Sequence, residues 1–258
     1  MRWAGRDASG PWEGACRRAS RCWCACERCR CRRREDVEER RLTGPLQVVV
    51  PPHPLIQHWL AIARNEFTPS PAFRTAVAEI GKYLVYEACR EWLPTVEMEC
   101  KTPMGMADVQ VVDQEQPVLV VPILRAGLVL LESARDVLPA SKTYHVGYVR
   151  DETTLLPSMY LNKLPDQIDP QARVLVSDPM LATGGTMVAC LDELIRRGAD
   201  PNLVRIVSVV AAPPALKKIS EKYQGVRVYA AMIDPELSEQ GYIVPGLGDA
   251  GDRAFGTE

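Results

Sequence analysis

Apolar and polar positions from residue 46 onward follow two alternating periods, one typical of strands and one typical of helices. Short runs rich in branched aliphatic residues predict strands near residues 118–121, 143–149, 173–177, 203–211 and 226–233. Apolar residues at helical spacing predict helices near residues 54–64, 73–92, 128–137, 186–197 and 214–223. Because apolar strands separated by helices are typical of parallel sheets, the pattern predicts an α/β fold with a mostly parallel sheet and helices on both faces.

Residues 1–45 have a different composition from the remainder of the chain. They contain twelve arginines, seven acidic residues and six of the nine cysteines, but no lysine, so their net charge is +5. Residues 46–258 carry a net charge of −7. We therefore predict a disordered Arg/Cys-rich N-terminal extension over 1–45 and one enzyme domain over 46–258. The acidic domain argues against nucleic acid as a partner, and no apolar run approaches the roughly 18 residues of a membrane span.

The crowded cysteines of the extension leave several interpretations open. Cys26-x-x-Cys29 has the spacing of a zinc-ligand pair, but zinc modules usually place roughly a dozen residues between two such pairs. The charged and polar composition of residues 1–45 favours a disordered segment over a zinc module. An arginine-rich, lysine-free segment is also typical of an organellar transit peptide, although serine is sparse here and acids lie close to its end. A spurious upstream translation start would give the same composition.

A phosphate-binding turn is predicted where an apolar strand meets a helix at residues 174–186, Val-Leu-Val-Ser-Asp-Pro-Met-Leu-Ala-Thr-Gly-Gly-Thr. Two glycines permit a tight turn, so main-chain N–H groups and two threonine hydroxyls can converge on one phosphate. These four residues are Thr183, Gly184, Gly185 and Thr186. Asp178, at the end of the strand, is suited to bind two ribose hydroxyls. No lysine follows Gly185, which argues against a Walker-type ATP loop.

Two arginines follow predicted strands elsewhere in the chain. Arg125 lies in Val-Pro-Ile-Leu-Arg-Ala-Gly-Leu at 121–128, where a guanidinium can hold a diphosphate by two hydrogen bonds. Arg150 begins a stretch that continues to about residue 170 without a clear period. A connector of that length in a compact domain predicts a lid over the site.

The C-terminal segment 242–257 reads Tyr-Ile-Val-Pro-Gly-Leu-Gly-Asp-Ala-Gly-Asp-Arg-Ala-Phe-Gly-Thr and contains four glycines. Glycine at this density lets the backbone approach a flat base, whose N–H and C=O groups main-chain atoms can recognise. The interleaved apolar residues argue against a flexible tail.

Together these segments resemble the signatures of the type I phosphoribosyltransferases, and among them the uracil phosphoribosyltransferase family. Most of the superfamily has two adjacent acids where this chain has Asp178 and Pro179, and Ala182 stands where purine enzymes often carry an acid. The resemblance covers residues 52–258. It implies the type I phosphoribosyltransferase fold with a C-terminal hood over the base. It also implies transfer of the phosphoribosyl group of 5-phospho-α-D-ribose 1-diphosphate (PRPP) to uracil, giving UMP and diphosphate.

The resemblance also assigns site residues. The catalytic candidates are Arg125, Arg150 and Asp249. The role of Asp249, drawing off or tolerating the uracil N1 proton, is inferred from its position alone and not from the resemblance. The candidates for PRPP binding are Arg125, Arg150, Asp178, Pro179, Met180, Leu181, Ala182, Thr183, Gly184, Gly185, Thr186 and Asp249. The candidates for uracil binding are Ile243, Gly248, Asp249 and Ala250. Mg²⁺ is implied as a cofactor held mainly through PRPP, with no direct protein ligand.

Several properties stay open at this stage. A purine base would keep the fold and the reaction type, and some similar proteins act as RNA-binding attenuators, which would need a basic face. The resemblance implies a homodimer or homotetramer and raises GTP as a possible effector. Segments near residues 50, 90 and 160 look most similar to the plant and algal plastid branch, which predicts the chloroplast stroma, with the cytoplasm as the alternative.

Overall fold

The structure is a computed structural model that describes residues 46–116, 118–138, 140–150 and 157–257. The side chain of Arg150 lies outside this description, as do residues 1–45 with the predicted extension and its cysteines. The described residues divide into a small unit at Pro94–Asp113 and a larger unit that contains the central sheet.

The larger unit is built on a mostly parallel sheet. In the described residues nine strands join this sheet. They are β1 (Gln47–Val49), β4 (Val118–Leu124), β5 (Ser141–Thr143), β6 (Val146–Arg150), β7 (Pro157–Asn162), β8 (Arg173–Ser177), β9 (Met180–Leu181), β10 (Val204–Ala211) and β11 (Arg227–Ile233). The main order is β1-β11-β10-β8-β4-β6-β7, while β5 pairs with β4 and β9 with β10. Only the β6–β7 pair among these described strands is antiparallel.

Helices cover both faces of this sheet, as the apolar pattern predicted. They are α1 (Pro54–Arg64), α2 (Ser70–Cys89), α3 (Gly127–Val137), α4 (Gly185–Arg196), α5 (Pro213–Lys222) and the short α6 (Ala250–Phe255). Alternate residues of β4 enter two separate cores: Val118 and Val120 pack with α1–α3, whereas Leu119 and Val121 pack with α4 and α5. Burial on both faces explains why the central strands are almost uniformly apolar.

The smaller unit is an antiparallel hairpin of β2 (Thr95–Lys101) and β3 (Met106–Val112). Its strands are paired along their whole length, and its turn is closed by the Thr102 side chain, whose hydroxyl accepts a hydrogen bond from the Gly105 N–H at 3.1 Å. The sequence analysis did not identify either strand, although β2 alternates polar residues with the apolar residues Val96, Met98 and Cys100, the period of a half-buried strand.

Three expectations need correction. The predicted strand 143–149 is two strands, β5 and β6, separated at Tyr144 and His145, because β5 pairs with the first half of β4 and β6 with its end. The stretch after Arg150 was expected to lack regular structure as far as residue 170, but β7 pairs with β6. The C-terminal segment 242–257 contains the short strand β13 (Ile243–Val244), which pairs with β12 (Glu236–Leu237) just before the segment, and the helix α6; none of these was predicted.

No helix among the described residues combines the length and the apolar composition that crossing a membrane requires.

Candidate active site

The predicted phosphate-binding turn forms a concave loop at the carboxyl end of β8. Residues 178–187, here called the phosphate loop, line a cavity of about 110 Å³, to which every member except Pro179 contributes. Gly184 precedes α4 with φ +75°, and a Cβ at this position would lie 2.9 Å from the Cα of Ala215. Only glycine meets both requirements without strain. The loop therefore presents main-chain N–H groups at the first turn of α4, the environment that favours an anion.

Asp178 follows directly after β8. Its backbone N–H donates to the carbonyl oxygen of Val207 at 3.1 Å, which ties it to the neighbouring strand β10. Its carboxylate Oδ1 accepts a long contact of 3.4 Å from the Met180 N–H. Beneath the loop, burial and the nearby Asp178 charge raise the pKa of the Cys190 thiol, so this group stays neutral as part of the core.

Arg125 lies at the end of the adjacent strand β4, after a cis peptide bond to Leu124. The turn that carries it contacts the turn after β8, since a Cβ on Gly127 would lie 2.5 Å from the Ser177 carbonyl oxygen. The guanidinium reaches the C-terminal segment: Nη2 donates to Asp252 Oδ1 at 3.0 Å and Nη1 to Thr257 Oγ1 at 3.2 Å. Hydrogen bonds from Thr257 and then Arg125 hold the pKa of Asp252 below its usual range.

Arg150 is the last residue of β6, and its cross-strand partner is Pro157, the first residue of β7. The Pro157 ring lies 3.7 Å from the position that a Cβ on Gly185 would take. The hairpin end is therefore beside the phosphate loop. Residues 151–156 of the expected lid lie outside the described residues.

The C-terminal hood, residues 242–257, is an ordered turn-rich segment followed by α6. Gly246 and Gly248 have φ of +56° and +71°, and a Cβ on Gly246 would lie 2.1 Å from the Ile243 carbonyl oxygen. Ile243 and Ala250 are buried, whereas Gly248 and Asp249 are exposed. Asp249 caps α6, because its Oδ1 accepts hydrogen bonds from the Gly251 and Asp252 N–H groups at 2.8 and 2.9 Å.

Sequence reasoning missed an ion pair that binds the backbone of the hood at Gly246. Both Nη atoms of Arg64 donate to the carboxylate of Asp234, at 2.7 and 2.9 Å, and Asp234 is 3% exposed. The same two side chains hold Gly246, whose N–H donates to Asp234 Oδ2 at 2.9 Å and whose carbonyl accepts from Arg64 Nη1 at 3.0 Å. No local pattern pairs residues 170 positions apart, so this contact could not be predicted from the sequence.

Arg253 makes a second long-range attachment of the hood. Its Nη1 donates to the carbonyl oxygens of Ala63 and Leu247, at 2.6 and 2.7 Å, and its guanidinium lies 4.3 Å from the centre of the Phe73 ring. Because these contacts join the hood to α1 and α2, the glycine-rich backbone is held in one conformation by the rest of the larger unit.

The described segments thus meet at one edge of the sheet. The Arg125 turn lies against Ser177, the last residue before the phosphate loop, the loop lies beside the start of β7, and Arg125 contacts the hood. Within the described residues, no three His, Cys, Asp or Glu side chains are grouped as a metal cage. A single carboxylate, Asp178, stands at the end of β8.

Comparison with known proteins assigns the chain to a family. The sequence profile of the uracil phosphoribosyltransferases matches residues 50–257. The chain is 60% identical to the uracil phosphoribosyltransferase of Nostoc sp. over 84% of its own length and 100% of the relative's. It is 59% identical to the chloroplastic uracil phosphoribosyltransferase of Arabidopsis thaliana over 82% of its own length and 71% of the relative's. The AQ2163 protein from Aquifex aeolicus has a similar structure, with a TM-score of 0.73, 38% identity, and coverage of 81% of this chain and 98% of that one. The chain belongs to the uracil phosphoribosyltransferase family and has the type I phosphoribosyltransferase fold.

Proposed function

We propose that this protein catalyses the reaction of its family, in which uracil and PRPP give UMP and diphosphate. The carrying observation is that the Arg125 turn lies against the end of β8, where the phosphate loop begins, while the Arg125 side chain contacts the glycine-rich hood. The phosphate loop suits the 5′-phosphate, and the hood suits a flat base that must be recognised by main-chain groups.

In this proposal PRPP lies along the phosphate loop. Main-chain N–H groups of residues 182–186 and the hydroxyls of Thr183 and Thr186 bind the 5′-phosphate. Asp178 binds the ribose hydroxyls. The left-handed conformation of Gly184 at the N-cap of α4 supports this assignment, because a turn of this kind forms a concave surface of backbone N–H groups that suits an anion.

Uracil lies beneath the hood in the same proposal, against the backbone of Ile243 and the residues Gly248, Asp249 and Ala250. During transfer the bond from the anomeric carbon to the diphosphate oxygen breaks, and a bond to uracil N1 forms as N1 loses its proton. Asp249 is the proposed proton acceptor. Both of its capping hydrogen bonds are accepted by Oδ1, so its proposed proton-accepting atom is Oδ2.

The diphosphate leaves with increased negative charge, and Arg125 and Arg150 are the proposed groups that stabilise it. Arginine fits this role because its planar fork donates two parallel hydrogen bonds to a phosphoryl group. Mg²⁺, held mainly by the oxygens of PRPP, would supply further neutralisation of that charge.

Further properties are proposals of the same kind. Residues 46–258 form the catalytic domain, and residues 1–45 form an extension outside the described residues. Similarity to a chloroplastic plant enzyme supports plastid targeting of the protein. Similarity to cyanobacterial enzymes keeps a cytoplasmic location as the alternative. The working form is a homodimer or homotetramer, with GTP as a candidate effector. RNA-binding attenuation is the weaker candidate, since the net charge of residues 46–258 is −7.

The test is product analysis with uracil, cytosine, hypoxanthine and adenine in competition, with PRPP and Mg²⁺ present. We expect UMP as the main product. Formation of IMP or AMP at a comparable rate would refute the base assignment, and binding to a pyrimidine-gene leader RNA without any nucleotide product would favour attenuation.

A further inference from the structure

The C-terminal end of the hood contacts Arg125, and both contacts involve the Nη atoms of the guanidinium. Thr257 Oγ1 accepts from Nη1 at 3.2 Å and Asp252 Oδ1 from Nη2 at 3.0 Å. A guanidinium carries five N–H donors in a fixed plane, and these two bonds do not involve the Nε–H. The C-terminal groups therefore hold Arg125 at its Nη end and leave the Nε side for a second anion.

Local structure explains why Thr257 and Asp252 act together. α6 ends at Gly256, which has φ +66°, and the Gly256 and Thr257 N–H groups donate to the Asp252 carbonyl oxygen at 2.7 and 3.2 Å. This left-handed end turns the chain back, so that the Thr257 hydroxyl donates to Asp252 Oδ1 at 2.7 Å. One carboxylate oxygen thus accepts from both Thr257 and Arg125.

Asp252 is also bound by Asp249, through its backbone N–H. Asp249 Oδ1 accepts the Asp252 backbone N–H at 2.9 Å, and the Asp252 carboxylate accepts from Arg125, so two hydrogen bonds joined through the covalent bonds of Asp252 link Asp249 to Arg125. The two ends of this link are the proposed proton acceptor on the uracil side and the proposed diphosphate-binding arginine. Because the side chains of Arg125 and Asp252 are 57% and 30% exposed, the ion pair itself adds little to stability, and its significance is positional.

We propose that Asp252, supported by Thr257, is a positioning residue that orients Arg125 toward the leaving diphosphate and couples this orientation to the hood that covers the base. The inference rests on the proposed function, since it needs Arg125 to act on diphosphate. Asp252 itself touches neither substrate. Its removal should reduce the rate of transfer rather than the affinity for uracil.

The test is a double-mutant cycle of Asp252→Asn with Arg125→Ala, measured as steady-state formation of UMP from radiolabelled uracil. Asp252→Asn alone should lower kcat by about tenfold, because a small misplacement of a charged group is costly at the reacting centre. In the Arg125→Ala background the same change should have an effect below about twofold, since there is no guanidinium left to orient. Thr257→Val should repeat the pattern at smaller amplitude.

Glu239→Gln is the matched control: it removes one exposed carboxylate from the same region of the chain, and no described contact links Glu239 to Arg125. It should leave kcat unchanged. A kcat of Asp252→Asn within threefold of wild type, or an equal loss with and without Arg125, overturns the proposal, and equal losses with a lower Tm would identify a purely structural role. Absence of UMP formation by the wild type would instead refute the proposed function, which keeps the two failures distinct.

Discussion

At the residue scale, the site depends on a few side chains whose chemistry is readable from the sequence. Asp178 is followed by Pro179, so a single carboxylate stands where a ribose must be bound. Arg125 provides a planar cation whose two Nη atoms each donate one hydrogen bond, to Thr257 and to Asp252, so further N–H donors are left for a phosphoryl group. Substitutions at these positions should therefore change catalysis with little effect on folding.

Asp178→Asn should lower kcat/KM for PRPP, because it raises the activation free energy by about 2 to 4 kcal/mol, the usual cost of a lost charge-assisted contact at a reacting centre. Steady-state kinetics at saturating uracil measure it. Asp136→Asn is the control, because the Asp136 side chain is 68% exposed and lies 4.0 Å from Lys82, away from the phosphate loop. Activity of Asp178→Asn within threefold of wild type would contradict the ribose-binding role.

Arg125→Lys and Arg150→Lys should each lower kcat by about tenfold, equivalent to one charge-assisted hydrogen bond of about 1.5 kcal/mol. Lysine keeps the charge but loses the two-pronged geometry, so a contact made mainly in the transition state is weakened. Initial rates at varied PRPP separate kcat from KM. A rise of KM with kcat unchanged would show uniform binding and exclude the transition-state role.

At the scale of single elements, glycine geometry determines the conformation of the phosphate loop. Long-range contacts determine the conformation of the hood. Gly184 has a positive φ and lies against the backbone of α5. The hood has its own glycine turns, but Arg64, Asp234 and Arg253 attach it to α1 and the sheet. The loop is thus a local structure and the hood is a tertiary one.

Gly184→Ala should lower stability by at least about 1 to 2 kcal/mol, the cost of a left-handed conformation in a residue with a Cβ. The close approach to Ala215 adds to that cost and should move the loop, raising KM for PRPP. Thermal unfolding and steady-state kinetics measure the two effects. The control is Gly105→Ala, where a Cβ meets nothing within 4 Å, so an equal loss in both variants would contradict the geometric explanation.

At the scale of the whole molecule, the sheet begins earlier than the family profile does. The profile starts at residue 50, whereas β1 spans Gln47–Val49 and pairs in parallel with β11. Val48 and Val49 are half-buried and pack against opposite cores of the larger unit. The residues immediately before the profile therefore belong to the folded domain.

This boundary gives a test of the N-terminal region. A chain that begins at Leu46 should unfold at the same Tm as the full-length protein and keep full activity, if residues 1–45 add nothing to the core. A chain that begins at Pro51 loses β1 and should unfold at a lower Tm, by about 2 to 4 °C for each kcal/mol lost. A lower Tm already at Leu46, or zinc that copurifies only with the full-length chain, would show a structural role for the extension.

The sequence by itself determined the periodic part of the fold and the chemistry of the loops. Uniformly apolar strands, helical spacing and the Thr-Gly-Gly-Thr turn are local patterns, and the structure confirmed the mostly parallel sheet with helices on both faces. The residue assignments at the site remain predictions, although the structure brings the Arg125 turn, the phosphate loop and the hood together at one edge.

Only the tertiary structure decided which distant groups meet. The Arg64–Asp234 pair, the Asp252 and Thr257 contacts to Arg125, and the pairing of β7 with β6 join residues that no short-range period connects. The strands β2, β3, β12 and β13 also escaped prediction. β12 and β13 have two residues each, too few to show a period, whereas the polar and apolar alternation of β2 is present in the sequence and was missed. Periodicity records which face of an element is buried, whereas hydrogen bonds and ion pairs depend on where the completed fold places each side chain.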